Sequence, residues 1–403
     1  MNICYLIRSF STQAGTESYV HNMSMALARL GHIVHIVSLT GKGRRDFKGL
    51  EGRISVHRFC LREDALGRFS RLESLFPIST WRYSRRMKEV LPAIIKDHDI
   101  DIIEATDWGV DAGHYLPERQ VPVCVRLHGY PGFKAEFETG ILKRWPRNYF
   151  YWTSKRKHIL SADLVTGVSR SYTDFVRKAW EIKEKDVQII PIAVDTDCFH
   201  PSGLPREKQL ILFAGRLEKS KGIEILAHAI ALVLRRMPKA RFCFAGKDQE
   251  YDDCRRSWSR RLTDYFSGEH IIYLGSLTTQ ELIRYYQTST ICAVPSLYEP
   301  GGTVVFEAMA CGCPVLASRV GGLVDVIKDR QTGFLIPPGD AEALADGLVE
   351  LLQDDQLRQE ISQRALESIR ADFDINMIAR RTAAAYARAI EAFKAPGDPR
   401  RKP

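Results

Sequence analysis

The sequence of 403 residues lacks any apolar run long enough to span a bilayer, so it does not predict a transmembrane protein. Its nine cysteines include one close pair, Cys311 and Cys313, which lacks the further ligands of a zinc site, and their spacing indicates no disulfide framework. Low-complexity tracts and motif-level repeats are also missing. Arg8 follows only a short apolar start, which argues against a secretory signal. These absences indicate a cytoplasmic protein with reduced thiols.

No Gly-x-Gly-x-x-Gly motif follows the first predicted strand, which argues against a nicotinamide-dependent dehydrogenase. The net charge is +9, and Lys and Arg outnumber Asp and Glu by 30 to 23 in residues 1–203 and by 28 to 26 in residues 204–403. The basic first half is compatible with an anionic partner, such as a phosphorylated substrate or a lipid surface, and equally with simple solubility. Nucleic-acid binding is not predicted, because the charge forms no concentrated stripe.

The length and the hydrophobic content of 45% favour two globular domains. In the first half, strands such as NICYLI, HIVHIVSL and VPVCVRLHG alternate with helical patterns, and the second half repeats this alternation with LILFAGR, ARFCFAG, IIYLG and TICAVPS. Fully apolar strands that alternate with helices predict parallel sheets covered on both faces. We therefore predict the α/β class, with two doubly wound Rossmann-like domains that face each other across a cleft.

The segment VQIIPIAVDTDCFHPSGLPREKQ is rich in Pro, Asp and Gly and has no helical period, which is typical of a linker. It divides an N-terminal domain, residues 1–200, from a C-terminal domain, residues 201–378. A last helix over 379–394 is expected to cross back to the N-terminal domain, and residues 395–403 form a polar tail that we predict to be disordered.

The stretch YEPGGTVVFEAMACGCPV follows a predicted strand and contains Glu299 and Glu307. Between them, Gly301 and Gly302 permit close approach of a ligand to the backbone, and Thr303 is the predicted N-cap of a helix. A glycine turn that leads into a helix N-terminus presents free N–H groups and the positive end of the helix dipole, which favours an anion. Taken alone, Glu307 is better explained as a partner of that dipole.

The stretch FAGRLEKSKGIEIL is a second candidate site. Its strand ends at Gly215, and two cations, Arg216 and Lys221, flank a short loop before the next helix. A guanidinium offers a two-pronged contact to phosphate and an ammonium offers a point charge. Any one such cation is more often part of a solvated turn. Both motifs, however, follow strands of the same predicted domain, so we predict a diphosphate site without metal.

These motifs together resemble those of the retaining glycosyltransferases of family 4, which have the GT-B fold. The Glu-x7-Glu spacing of Glu299 and Glu307 matches the family signature, and the resemblance covers nearly the whole chain, most specifically residues 209–340. It implies a metal-independent enzyme that needs no cofactor. The donor would be a nucleotide-diphosphate sugar, and the acceptor a sugar, lipid-linked or other hydroxyl in polysaccharide, glycolipid or other glycoconjugate synthesis.

The resemblance also implies roles for single residues. Arg216 and Lys221 would hold the diphosphate and stabilise its departure, Glu307 would bind the ribose hydroxyls, and Glu299 would lie beside the donor sugar. The other implied donor-binding residues act through the backbone; they are Gly215, Ser276, Leu277, Gly301, Gly302 and Thr303. Most relatives carry a bulky residue where this sequence has Gly301.

In the first half, STQAGTESYV resembles the first loop of the family, where Gly15 remains but Ala14 replaces the preceding glycine. The resemblance implies an acceptor or phosphate contact at Gly15. VRLHGYPG resembles a strand end that contains a histidine, so His128 is implied as an active-site residue with acceptor contacts. A lone histidine is more often structural, and the position of His128 at a strand end, followed by Gly129, is what favours a functional one. The linker lacks the usual Asn-Gly of the family and has Ile192 and Ala193 instead.

The stretch ILKRWPRNYFYWTSKRKHIL, residues 141–160, mixes aromatic and basic residues at helical spacing. This pattern is compatible with a peripheral membrane contact at the inner face of the membrane, although a helix packed on its own sheet explains it somewhat better. Other functions remain open alternatives to a glycosyltransferase. They are a catalytically silent GT-B protein that acts in binding or assembly, a sugar-nucleotide epimerase, and a storage-glucan synthase of the same fold.

Overall fold

The computed structural model of the chain describes residues 1–10, 15–39, 53–61, 72, 76–107, 109–129, 146–180, 187–248, 257–266 and 268–395. The contacts divide the chain into two compact units, Met1–Pro191 with Ile375–Pro403, and Ile192–Asp374. The first unit thus ends earlier in the chain than the predicted boundary after residue 200. Residues 396–403 of the predicted disordered tail lie outside the described residues.

The first unit is built around a sheet of seven parallel strands in the order β3-β2-β1-β4-β5-β6-β7. Every residue of β4 and β5 is buried, as expected of strands covered on both faces. The strands are β1 (Asn2–Leu6), β2 (Ile33–Leu39), β3 (Ile54–Phe59), β4 (Ile102–Thr106), β5 (Val123–Leu127), β6 (Leu164–Gly167) and β7 (Gln188–Ile189). The helices that the structure describes before β7 include α1 (Thr16–Arg29), α2 (Ile78–His98), α3 (Pro146–Leu160) and α4 (Arg170–Trp180).

The second unit contains a sheet of six parallel strands in the order β10-β9-β8-β11-β12-β13. These strands are β8 (Leu210–Ala214), β9 (Arg241–Ala245), β10 (Ile271–Gly275), β11 (Ile291–Val294), β12 (Val315–Ser318) and β13 (Phe334–Ile336). Its helices are α5 (Ile223–Arg236), α6 (Trp258–Tyr265), α7 (Thr279–Thr288), α8 (Thr303–Ala310), α9 (Leu323–Val326), α10 (Ala341–Gln353) and α11 (Asp355–Asp372).

Two apolar cores cover opposite faces of the second sheet. One includes Leu226 of α5 and Leu348 of α10, and the other includes Met309 of α8 and Ile369 of α11. Alternate residues of a strand point to opposite faces, so each strand contributes to both cores. The two parallel sheets confirm the predicted α/β class. The last helix, α12 (Ile375–Lys394), belongs to the first unit.

Helix α3 carries the second part of the predicted aromatic and basic stretch, and residues 141–145 lie outside the described residues. Tyr149 is exposed, but Lys155 is 1% exposed, with its Nζ 4.8 Å from the ring centre of Tyr151. Lys155 therefore does not form a basic flank of a membrane-facing surface, which corrects that part of the prediction, because its ammonium is buried beside the Tyr151 ring. Among the described residues, no helix combines the length and the apolarity that crossing a bilayer requires.

Candidate functional site

The strand order of the second sheet places the predicted donor residues at one edge. The winding direction reverses between β8 and β11, and the carboxyl ends of all six parallel strands share an edge. Doubly wound sheets bind ligands in the crevice at such a reversal. Arg216 and Lys221 follow β8, residues 299–303 follow β11, and Ser276 and Leu277 follow β10.

The loop after β8 begins at Gly215, whose φ of 145° is disfavoured for residues with a side chain. A Cβ atom at this position would meet no other atom within 4 Å, so the space above the backbone is open. Arg216 Nη2 lies 2.9 Å from Glu218 Oε1, and the Arg216 side chain is 49% exposed. Ser220 Oγ donates a hydrogen bond of 2.6 Å to the same carboxylate oxygen. The Arg216 charge is thus partly balanced by Glu218.

The loops after β8 and β11 meet through a direct ion pair. Lys221 Nζ lies 2.5 Å from Glu299 Oε2, and the two side chains are 22% and 13% exposed. The backbones also meet, because the Leu297 N–H donates to the Ser220 carbonyl oxygen at 2.9 Å. Two motifs that are far apart in the sequence therefore form one cluster, in which each of the two predicted cations has a carboxylate partner. The sequence analysis identified Arg216 and Lys221 but not this pairing.

Helix α8 begins at Thr303, and its N-cap is Gly302 rather than the predicted Thr303. Gly302 has φ of 80°, a left-handed conformation that glycine adopts without strain, and the helix begins with the residue after it. Its N–H donates to Glu299 Oε1 at 3.2 Å, while Gly301, just before it, is buried. The first N–H groups of a helix have no intrahelical partner, so the start of α8 offers donors to an anion beside the Lys221–Glu299 pair.

Glu307 lies one turn further along α8. Its Oε2 accepts a hydrogen bond of 2.9 Å from the hydroxyl of Tyr286, which is fully buried in α7. Burial raises the pKa of the Glu307 carboxyl from 4.5 to about 7, and the Tyr286 hydrogen bond offsets part of this rise. Glu307 therefore changes charge near neutral pH, whereas a solvated partner of the helix dipole would stay ionised.

Ser276 and Leu277 follow the end of β10 at Gly275, which has φ of 67°. The Gly275 carbonyl oxygen accepts the Gly246 N–H at 2.7 Å, so the ends of β9 and β10 are held together. The Leu277 side chain packs against the core that includes α8. The Leu277 side chain therefore points toward the core, and the backbone role that the resemblance implies for Ser276 and Leu277 stays a prediction.

In the first unit, His128 directly follows β5, and its backbone is held by Asp107, the residue after β4. The fully buried Asp107 carboxylate accepts the His128 N–H at 3.0 Å, the Gly129 N–H at 3.4 Å and the Tyr172 hydroxyl at 2.9 Å. Burial, and then the nearby charge of Arg126, keeps the pKa of His128 well below its usual range. The imidazole is therefore neutral. Its Nε2 is buried without a hydrogen-bond partner among the residues that the structure describes.

Gly15 is the N-cap of α1, with φ of 61°, and a Cβ there would meet nothing within 4 Å. Four residues on, the ring of Tyr19 lies 4.7 Å from that of His128, centre to centre, and the guanidinium of Arg126 lies over the Tyr19 ring at 4.5 Å. The Tyr19 hydroxyl donates to Glu104 Oε1 at 3.1 Å. Helix α1 therefore links the Gly15 loop to the surroundings of His128.

Sequence reasoning missed four side chains of these two clusters: Glu218, Tyr286, Asp107 and Tyr19. Glu218 and Tyr19 lie within the quoted motifs but were given no role, and the buried Tyr286 and Asp107 have no sequence signal that separates them from the many exposed tyrosines and aspartates. Only the end-of-strand position of Asp107, after the apolar β4, could have drawn attention to it.

A further groove of the second unit, about 710 Å³ in volume, is lined by Arg206, Lys208, Thr290, Pro314 and Arg358, among others. Thr290 precedes β11 and Pro314 precedes β12, so this groove lies at the amino edge of the sheet. No predicted donor residue lines it.

Family comparisons match the two halves of the chain separately. Residues 14–198 match the sequence model of Glycosyltransferase Family 4, and residues 195–368 match that of Glycosyl transferases group 1. A D-inositol 3-phosphate glycosyltransferase of Corynebacterium aurimucosum is 28% identical over 383 residues, 88% of this chain and 86% of the relative. With other curated relatives, the chain spans about half of their length, 47% for two of them.

Solved structures with the same fold cover nearly the whole chain. Sucrose-phosphate synthase from Thermosynechococcus elongatus has a TM-score of 0.79 and 24% identity, and the alignment covers 97% of this chain and 99% of the synthase. HepE of Anabaena, solved in complex with UDP and glucose, has a TM-score of 0.72 and 19% identity, with 96% and 100% covered. At these identities the likeness shows the fold, and the fold is GT-B.

Proposed function

Since the chain belongs to the glycosyltransferases of family 4, we propose that it transfers a sugar from a nucleotide-diphosphate donor to an acceptor hydroxyl, with retention of the anomeric configuration and without metal. The observation that supports this proposal most directly is the ion pair between Lys221 and Glu299 at the reversal of the second sheet. It joins the two motifs on which the family resemblance depends.

The donor diphosphate would lie between the loop after β8 and the start of α8. Arg216 and Lys221 supply positive charge, and the first N–H groups of α8 supply donors that need no reorganisation. Glu218 and Glu299 already pair with the two cations and so reduce their attraction for the diphosphate. The N–H groups at the start of α8 would therefore supply a larger share of that attraction. Glu307 would accept hydrogen bonds from the vicinal ribose hydroxyls.

In the proposed transfer, the bond between the anomeric carbon and the diphosphate oxygen breaks, and a bond from the acceptor oxygen to that carbon forms on the same face. The acceptor proton passes to the leaving diphosphate oxygen, so the products are the glycoside and the nucleoside diphosphate. Lys221 stabilises the negative charge that develops on the leaving oxygen. Glu299 holds the Lys221 ammonium and faces the donor sugar.

The acceptor would bind to the first unit, near Gly15 and His128. The neutral His128 ring has a buried Nε2 that a hydroxyl of the acceptor would pair with. The relative named for D-inositol 3-phosphate and the synthase named for sucrose phosphate both carry phosphate in their names, and the first half of this chain is basic. A phosphorylated acceptor is therefore the first class to test, ahead of lipid-linked and unmodified sugars.

A panel of nucleoside diphosphates tests the donor site. We expect at least one of UDP, GDP and ADP to raise the melting temperature of the protein, because a ligand that binds only the folded state stabilises it by mass action. The shift should persist in EDTA, since the proposed site uses no metal. A panel without any shift would contradict the donor assignment. Once a donor is known, NMR of the product anomer decides between retention and inversion.

The pH dependence of donor binding tests Glu307. A carboxyl whose pKa is raised by folding stabilises the folded state fully below pH 4.5, and this contribution is lost as the pH rises through about 7. The carboxylate is the better acceptor for two ribose hydroxyls. We therefore expect affinity for a nucleotide sugar to increase about tenfold between pH 6 and pH 8.

A nucleotide sugar, rather than a free diphosphate, is the right probe because its phosphates stay ionised throughout this range. Isothermal titration measures the affinity at each pH, and Glu307→Gln is the matched variant. Glutamine has nearly the same size as glutamate but does not titrate. The affinity of this variant for the nucleotide sugar should therefore be low and independent of pH. If the affinity changed equally with pH in both proteins, the proposed binding of the ribose hydroxyls by Glu307 would be contradicted.

A further inference from the structure

Three histidines of the first unit form a cluster that the glycosyltransferase function does not use. Among the described residues, His35 of β2, His57 of β3 and His98 at the end of α2 place one ring nitrogen each within 4.8 Å of the other two. His35 Nδ1 and His57 Nε2 are 3.0 Å apart, and the His98 ring lies 4.5 Å from that of His35 and 4.9 Å from that of His57, centre to centre. We propose that these three histidines bind one divalent transition-metal ion of the Zn²⁺ type.

The backbone explains why the cluster forms. In the parallel register, His35 lies opposite Ser55, and His57 is two residues further along β3, so both side chains point to the same face. Helix α2 ends at His98, whose ring contacts those of His35 and His57 and whose carbonyl oxygen accepts a hydrogen bond of 3.0 Å from Asn2 Nδ2. Two of the ligands therefore stand on neighbouring strands, and the third is on a helix end that is tied to β1.

The distances suit a tetrahedral ion. Zn–N bonds of about 2.0–2.1 Å at tetrahedral angles separate two ligand nitrogens by about 3.3 Å. The His35–His57 pair is already near this separation, and a rotation of the half-buried His98 ring closes the remaining gap. In the metal-free state, one of the two nitrogens at 3.0 Å carries the shared proton. On binding, that proton moves to the other nitrogen of the same ring, which frees the lone pair for the metal.

The type of ligand also favours a transition metal. Neutral imidazole is the form that ligates metal, and it suits Zn²⁺ better than hard ions such as Mg²⁺. Three protein ligands leave the fourth position of a tetrahedral ion to water.

The location indicates a structural role. Asn2, which holds His98, is the first residue of β1, so the cluster lies toward the amino ends of the strands, whereas His128 follows the carboxyl end of β5. Strand β3 is at the edge of the sheet. The ion would fasten this edge strand and the end of α2 to β2, and it would take no part in sugar transfer.

Equilibrium dialysis of the full chain against Zn²⁺, with any polyhistidine tag removed and the protein first treated with EDTA, tests the proposal. We expect one Zn²⁺ equivalent to bind tightly and to raise the melting temperature. Mg²⁺ should neither bind nor change the melting temperature. His57→Gln and His98→Gln should each weaken Zn²⁺ binding at least about 100-fold. His21→Gln, a histidine of the same unit outside the cluster, is the matched control and should bind as the wild type does.

Absorption of the Co²⁺-loaded wild type gives a readout that needs no variant. A site of three imidazoles and water should show the visible bands of tetrahedral Co²⁺. It should lack the thiolate charge-transfer band that would appear if the exposed Cys60 bound the ion instead. The proposal is overturned if the wild type binds no Zn²⁺ equivalent, if both glutamine variants bind it unchanged, or if the thiolate band appears. Circular dichroism of both variants confirms that a loss of binding does not reflect unfolding.

Discussion

Replacing Lys221 by alanine is expected to lower kcat by about 10²- to 10³-fold, the usual effect of removing one preorganised group that stabilises a leaving oxyanion. The Lys221 side chain is 22% exposed and lies 2.5 Å from Glu299. In such a partly buried site a charge acts through a lower effective dielectric than in water, so its loss is costly. The substitution also leaves Glu299 without its cation, beside the bound diphosphate. Initial rates with a saturating nucleotide sugar measure the effect.

Arg216→Ala provides the matched comparison. Arg216 is 49% exposed and pairs with Glu218, so its contribution is screened more strongly, and we expect a smaller loss of about tenfold. Lys221→Arg keeps the charge and should recover part of the activity. If Lys221→Ala turned over as fast as the wild type while it remained folded, the diphosphate would have to be held elsewhere.

Replacing Asp107 by alanine is expected to destabilise the first unit by about 3 kcal/mol and to reduce activity as well. The fully buried carboxylate accepts the N–H groups of His128 and Gly129 and the hydroxyl of Tyr172. Its removal leaves three donors without an acceptor, and it releases the turn that orients the His128 ring. Urea denaturation of the full chain, followed by circular dichroism, measures the loss of stability.

Two variants separate stability from positioning. Tyr172→Phe removes only one of the three donors and should cost about 1 kcal/mol with little effect on the rate. Asp107→Asn keeps an acceptor oxygen, so it should retain most of the stability while a displaced His128 still lowers kcat. An Asp107→Ala protein with wild-type stability and rate would contradict both the structural role of Asp107 and the proposed part of His128.

The alternation of apolar strands and helices was enough to predict two parallel sheets, because a strand that is buried on both faces reads as a continuous apolar run. The candidate donor motifs could be proposed as well, since glycines and cations at strand ends form a local pattern. The N-cap of α8 was placed one residue late at Thr303, because threonine is a favoured N-cap residue and the left-handed φ of 80° at Gly302 cannot be read from the sequence. The sequence shows that the stretch around Lys155 is basic, but it does not show that the Lys155 side chain is buried.

By itself, the sequence determined the fold class and the family, and it offered Arg216, Lys221, Glu299 and Glu307 as candidate site residues, because each belongs to a local pattern. Tertiary structure alone decided their electrostatics. It paired Lys221 with Glu299, raised the pKa of Glu307 by burial, and held the backbone of His128 with the carboxylate of Asp107. It also gathered His35, His57 and His98, which are spread over more than sixty residues of the sequence. Pairing and burial depend on which strands become neighbours, and no local pattern encodes that.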